Sequence, residues 1–155
     1  MQSNRKKPNS AVLIIDSQPP HLGELLQLLS NLHKYDLICF CINGQEKVIS
    51  HQHVLQIWHS ILQPYAEKVS LMVFSYDFTQ LDKDLIPEML ENCTFLTSDR
   101  QIFVHLSGIG LNAELIPRAL GYHSIFFRAA FKQSKALDWL ESKFINSITN
   151  INKKK

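Results

Sequence analysis

Strong charge of either sign is missing from this chain. Its 155 residues carry a formal net charge of only +2. That speaks against a dedicated nucleic-acid binder, whose phosphate contacts demand a marked basic excess. Seven histidines would add positive charge if the pH fell. Cysteine is scarce as well: Cys39, Cys41 and Cys93 form an odd set of three, which argues against a disulfide framework and suits a reducing compartment. Cys39 and Cys41 stand inside an apolar run and read as core, with no further ligands at zinc spacing. No apolar run approaches the ~18 residues of a membrane span. The stretch Ala11 to Ile15, behind the basic opening MQSNRKKPNS, is too short for a secretory leader. A Walker loop, a legible Ser-His-Asp set and the third glycine of a dinucleotide fingerprint are all lacking. What is left is the composition of a soluble, cytoplasmic protein, with 45% hydrophobic residues to build a core. We expect one domain over 11–149 between basic tails at 1–10 and 150–155.

What is present is alternation. AVLII at 11–15 is a short continuous apolar run, as expected of a parallel strand covered on both faces. Leu22, Leu25, Leu26, Leu29 and Leu32 then repeat at helical spacing, with Pro20 ahead of them. DLICFCI at 36–42 reads as a second strand, broken by the turn residues Asn43 and Gly44. Ser50 has the look of an N-cap, followed by an inward stripe of Val54, Leu55, Trp58, Ile61 and Leu62 that Pro64 closes. VSLMVF at 69–74 predicts a third strand. A helix is expected over 80–92 despite Pro87, a fourth strand at 102–106 with TFL at 94–96 as a short extended piece before it, and a helix from Gly108 to Leu120. A fifth strand at 124–127 and a last helix over 134–148 complete the pattern. Five alternations predict an α/β fold: one doubly wound, mainly parallel five-stranded sheet with helices on both faces. Ligands of such sheets sit outside the carboxyl ends of the strands.

The first such loop is DSQPP, with a helix beginning near His21. The unpaired amides and dipole of a helix N-terminus favour an anion there. Asp16, Ser17 and Gln18 would border it, His21 could donate to a phosphate oxygen, and Gly23 would let a phosphate approach closely. Asp16 reads equally as a turn cap, and Pro19-Pro20 with His21 as a plain solvated turn. The loop expected after Leu106, with Ser107, Gly108 and Gly110, is a second candidate for binding a phosphate through backbone amides, or else a tight turn. Arg100, Arg118 and Arg128 could each meet phosphate, Arg128 being best placed. His51 and His53, two apart on a helix, do not share a face and are not read as a metal pair.

QPPHLGELLQLL resembles the first motif of the HxGH nucleotidyltransferases, the superfamily of nicotinamide mononucleotide, pantetheine-phosphate and cytidylyl transferases. Pro19, His21 and Gly23 match its Gly-x-Phe-x-Pro-x-His-x-Gly-His pattern, while Ile15, Ser17 and Glu24 stand where it has glycine, phenylalanine and the second histidine. YDLICFCING and VISHQHVLQIWHSIL are similar to the strand and helix that follow. FKQSKALDWL takes the place of the second motif, with Ser134 and Lys135 at a helix start and without the motif's arginine. The resemblance implies transfer of AMP or CMP from ATP or CTP, accompanied by Mg2+, to a phosphate-bearing small-molecule acceptor. His21, Ser134 and Lys135 would be catalytic. Asp16, Ser17, Gln18, His21, Gly23, Glu24, Ser107, Gly108, Gly110 and Arg128 would line the nucleotide. Glu24 and the missing arginine equally fit a relative that binds a nucleotide or a protein partner without turnover. A homo-oligomer is left open; membrane and nucleic-acid partners are not expected. An unrelated flavodoxin-like or response-regulator-like module is the third reading, though it lacks a second acidic residue beside Asp16.

Overall fold

The computed structural model describes residues 9–118. Strand β1 (Ser10–Ile15) leads to helix α1 (Leu22–Asn31), β2 (Leu37–Asn43), α2 (His51–Ile61), β3 (Val69–Phe74), β4 (Thr94–Thr97), α3 (Arg100–Gly108) and β5 (Ala113–Leu115). Every strand pairing is parallel and the sheet order is β3-β2-β1-β4-β5. The doubly wound α/β expectation holds, and the order reverses between β1 and β4, which makes that junction the switch point.

The two directions of travel put helices on opposite faces. Leu28 of α1 with Val54 and Trp58 of α2 packs on one side against Leu13, Ile38 and Phe40. The Trp58 indole meets the Phe40 ring edge-on at 4.6 Å. Ile102 and Leu106 of α3 close the other face with Phe78, Leu81, Ile86 and Leu90 from the β3–β4 crossover. Val12 and Leu13 of β1, with a core on each side, are wholly buried.

Several elements differ from expectation, each for a physical reason. The crossover at 80–92 is not a helix but two 3-10 turns, Lys83–Leu85 and Glu88–Leu90. Pro87 can neither donate a helix bond nor tolerate the preceding turn, and Leu81, Ile86 and Leu90 are buried all the same. Residues 102–106 lie in helix α3, not in a strand. Asp99 caps it, accepting from the Gln101 and Ile102 amides, and Val104 is exposed between buried Ile102 and Leu106. A short apolar run fits either element, and here the cap decides. The fourth strand is instead the extended piece at Thr94–Thr97. The helix expected from Gly108 is replaced by a helix end and then β5. The Leu111 N–H reaches Leu106 O at 3.0 Å and the Gly110 N–H reaches Ser107 O at 3.2 Å, with Gly110 at φ +87°. This is a Schellman stop, and Leu106 and Leu111 share a core cluster as its hydrophobic contact. In α1 the buried apolar residue is Leu28, while Leu22, Leu26 and Leu29 stand exposed. The rest of the buried face is polar: Glu24, Gln27 and Asn31. The Gln27 amide donates to Pro117 O at 3.3 Å, so this stripe meets the chain leaving β5. The strand at 124–127, the helix at 134–148 and the C-terminal tail lie outside the described residues.

Candidate functional site

A cleft of about 350 Å3 opens at the carboxyl edge of the sheet, at the switch point. Asp16 and His21 after β1, Asn43 at the end of β2 with Gly44 and Lys47 after it, Asp77 and Thr79 after β3, and Thr97 at the end of β4 with Ser98 and Asp99 after it line the cleft, with Glu24 and Gln27 of α1 and Arg118 beyond β5. Parallel strands bring all their exits to one edge, which is why residues from the exits of all five strands converge here.

Three small devices hold its walls. Gly44 turns the chain at φ +107°, a conformation that favours glycine. The Asn43 amide donates to Phe74 O at 3.0 Å and to Tyr76 O at 2.6 Å, tying the ends of β2 and β3 together. Gln18 is fully buried. Its Oε1 accepts the amides of Lys47, Val48 and Ile49 at 2.9–3.1 Å, and its Nε2 donates back to Ile49 O at 2.9 Å. Gln18 therefore acts as a staple between two loops, and it does not line the cleft.

The corner between β1 and α1 is built around Glu24. Ser17 is buried at φ +51°, left-handed for a residue with a side chain. The Glu24 carboxylate receives the Ser17 N–H and the Ser17 hydroxyl, each at 2.7 Å, and the His21 N–H at 3.3 Å. The Trp58 indole N–H donates to Ser17 Oγ at 2.8 Å, extending the chain of bonds to α2. The His21 ring lies with Nε2 3.8 Å from Glu24 Oε2. Glu24 is only 3% exposed. Burial outweighs the hydrogen bonds from Ser17 and His21 and, with the nearby charge of Asp16, pushes its carboxyl up to about 7. The Glu24 carboxylate thus takes one amide of the loop, from Ser17, and the amide of His21 at the N-cap of α1, as the third residue of a capping box does.

Across the cleft, the Asp99 carboxylate occupies the amides that open α3. The Lys47 ammonium lies 3.8 Å from Asp16, and Arg118 reaches Ser98 Oγ at 3.5 Å. Among the described residues no three histidine, cysteine or carboxylate side chains converge on one point.

Of the expected site residues, Asp16, His21 and Glu24 come together in the cleft. Ser17 and Gln18 lie buried behind it, and Gly23 is buried in the first turn of α1. Ser107, Gly108 and Gly110 are not with them. They form the carbonyl end of α3 and its stop, at the amino edge of the sheet, where the helix dipole disfavours an anion. Arg128, Ser134 and Lys135 lie outside the described residues. Sequence reasoning missed Lys47, Asp77, Thr79, Thr97, Ser98 and Asp99 as cleft residues. The legible signal for the last three was TSDR, an Asp cap behind a short β run.

No protein-family model matches the chain, and no curated protein does. Among solved structures it is similar to a bifunctional NMN adenylyltransferase/ADP ribose pyrophosphatase from Francisella tularensis. One structure of that protein superposes with a TM-score of 0.65 at 14% identity, over 81% of this chain. A second, complexed with AMP and a manganese ion, gives 0.58 at 14% identity over 83%. The chain spans 42% of the length of either. At this identity the likeness shows the fold. This chain has an α/β fold that is also found in part of that bifunctional protein. Among the described residues no helix is long and apolar enough to cross a membrane.

Proposed function

We propose that this chain is a nucleotidyltransferase-like protein that takes a nucleoside phosphate in the switch-point cleft. The observation that carries the reading is the convergence of His21, Lys47, Asn43, Thr97, Ser98 and Arg118 on one cavity of about 350 Å3 at the β1–β4 junction. That volume is in the range of small-molecule sites. Lys47, Arg118 and His21 supply donors for phosphate oxygens, and Asp16 and Asp77 supply acceptors for sugar hydroxyls. In the transfer reading, AMP or CMP passes from ATP or CTP to a phosphate-bearing small molecule, with His21 steadying the phosphates and Ser134 and Lys135 assisting the departing pyrophosphate. Such transfer depends on positioning and charge stabilisation more than on covalent help from the protein. A divalent cation would arrive with the nucleotide, since magnesium is commonly held by substrate phosphates and one or two carboxylates. The neighbour complexed with AMP and manganese supports that pairing by analogy.

A second reading, binding without transfer, is favoured by one observation: Glu24 takes the Ser17 and His21 amides at the β1–α1 corner and Asp99 takes the first amides of α3, so carboxylates stand at both helix starts that face the cleft. Calorimetry with ATP and CTP, with and without magnesium, tests the shared part. Saturable binding that weakens at least tenfold in His21→Ala is expected, and no heat with either nucleotide rejects both readings. Pyrophosphate release with a panel of phosphorylated acceptors then separates transfer from binding.

A further inference from the structure

A second cavity, of about 260 Å3, opens at the opposite, amino edge of the sheet. It lies where β1, β2 and β3 begin, and Met89, Leu90 and Cys93 of the crossover into β4 close its far side. Sulfur is concentrated around it. Cys39 lines it from β2 and Cys93 from the residue before β4. The Cys39 thiol donates to the Met72 thioether, with Sγ 3.9 Å from Sδ. The register pairs Cys39 with Ser70, and Met72, two residues on in β3, stands on the same face. The Cys93 thiol donates to Met89 O at a long 3.8 Å. Met89 itself is 81% exposed and puts a further thioether at the mouth of the cavity.

A cysteine that only fills core space needs no access to a cavity. Cys41 fits that description, being fully buried and no part of the cavity wall. Cys39 does not, because it is half-buried and opens onto the cavity. Cys39, Met72 and Cys93 belong to one packed cluster on that face of the sheet, and a charge on Cys93 is felt at Cys39.

We propose that Cys39, Cys93 and Met72 form a binding site for one soft monovalent cation of the Cu(I) type at the amino edge of the sheet. The inference does not rest on the nucleotide reading, whose cleft lies at the other edge.

The donor set selects this class of ion. Thiolate and thioether sulfur suit Cu(I). Two sulfurs sharing an ion at about 2.3 Å, the zinc–thiolate length, stand about 3.8 Å apart in tetrahedral and about 4.6 Å apart in linear geometry. The 3.9 Å between Cys39 and Met72 falls in that range. Zinc and iron–sulfur clusters call for a closed set of roughly four protein ligands. The described residues bring no three histidine, cysteine or carboxylate side chains to one point. Burial pushes both thiols up from their ordinary value. Each therefore meets the ion as a neutral thiol, and binding releases one proton per cysteine. The ion keeps its single charge, and nothing is oxidised or reduced. Glu67 and Lys68 both line the cavity, so their charges offset.

The full chain is titrated with Cu(I) under anaerobic, reducing conditions against bathocuproine disulfonate, a chelator that takes Cu(I). One ion per chain is expected. Cys39→Ser and Cys93→Ser should each weaken binding by about tenfold or more, since even an outer partner of a metal ligand is worth about 10–100-fold. Met72→Leu should weaken it measurably, and Cys41→Ala should leave it unchanged. Circular dichroism selects the variants that keep the fold. Wild-type affinity in Cys39→Ser or Cys93→Ser overturns the site, and so does an equal loss in a folded Cys41→Ala. X-ray absorption at the copper edge of the loaded wild type needs no variant. Sulfur neighbours alone are expected, whereas nitrogen neighbours assign the ion to histidines and reject the proposal. No binding of Cu(I) rejects it too, and none of these results bears on the nucleotide cleft.

Discussion

At the scale of single residues, Glu24 and Gln18 show how buried polar groups set this corner. For Glu24 the linkage has a definite sign. Its folded value of about 7 lies above the ordinary 4.5, so between these values the folded protein holds a proton that the unfolded chain has lost. Stability is therefore greatest below the unfolded value and falls as pH rises through about 7. The shift corresponds to about 3 kcal/mol as an upper figure. Chemical denaturation at about pH 5 and about pH 8 should show a loss of this order in the wild type and a flatter profile in Glu24→Gln. An unchanged profile in the variant would place the titrating group elsewhere. For Gln18, one oxygen accepts the Lys47, Val48 and Ile49 amides. Gln18→Ala leaves them without that acceptor, at about 1–3 kcal/mol for each amide left dry. The expected outcome is a loss of at least about 3 kcal/mol in urea unfolding, or no folded protein, whereas Gln18→Glu, which keeps the acceptor, loses less.

At the scale of elements, what was legible in the sequence depended on whether a local signal had a rival. The first three strands and the first two helices were readable, since buried parallel strands and capped amphipathic helices leave strong periodicities; Ser50 is indeed the N-cap of α2, with its hydroxyl accepting the His53 amide. Past Phe74 the same rules gave the wrong elements. IFVHL is apolar enough for a strand, and only the Asp99 cap and the exposure of Val104 mark it as helix. SGIG looked like the start of a helix and is the end of one, because a glycine with φ +87° is what a Schellman stop requires. The site followed the elements. Asp16, His21 and Glu24, legible as one corner, do line the cleft, whereas Thr97, Ser98 and Asp99 are not legible as cleft residues, since in the sequence their strand is only a short extended piece. Asp99→Ala tests this assignment. It removes the acceptor for the Gln101 and Ile102 amides and should cost about 1 kcal/mol of stability. Loss of no stability would indicate that α3 starts elsewhere. Gly44→Ala addresses the other wall. An added methyl would meet Asp16 Oδ1 at an ordinary 3.5 Å, so space is not the obstacle. The φ of +107° is, and a loss of about 1 kcal/mol or more is expected in thermal unfolding.

At the scale of the whole molecule, the sheet has two edges with opposite chemistry. Loops at the carboxyl edge present side chains of both charges around a cavity, and two helix starts point toward it. At the amino edge the Ser107–Gly110 segment presents helix carbonyls. An anionic ligand that binds the native state stabilises it by about 2.7 kcal/mol at a hundred times its dissociation constant, and the location of that protection depends on which edge it occupies. Hydrogen exchange with saturating ATP should slow the amides at 16–18, 43–47 and 97–99, which belong to loops lining the cleft. The amides at 107–111 should keep their rates, since the Gly110 and Leu111 N–H groups are already spent on the Schellman bonds to Ser107 and Leu106. Protection confined to 107–111 would move the binding site to the amino edge and leave the switch-point cleft without a ligand. Protection at the carboxyl edge that disappears in His21→Ala would tie the whole-molecule response to one imidazole at the corner after β1.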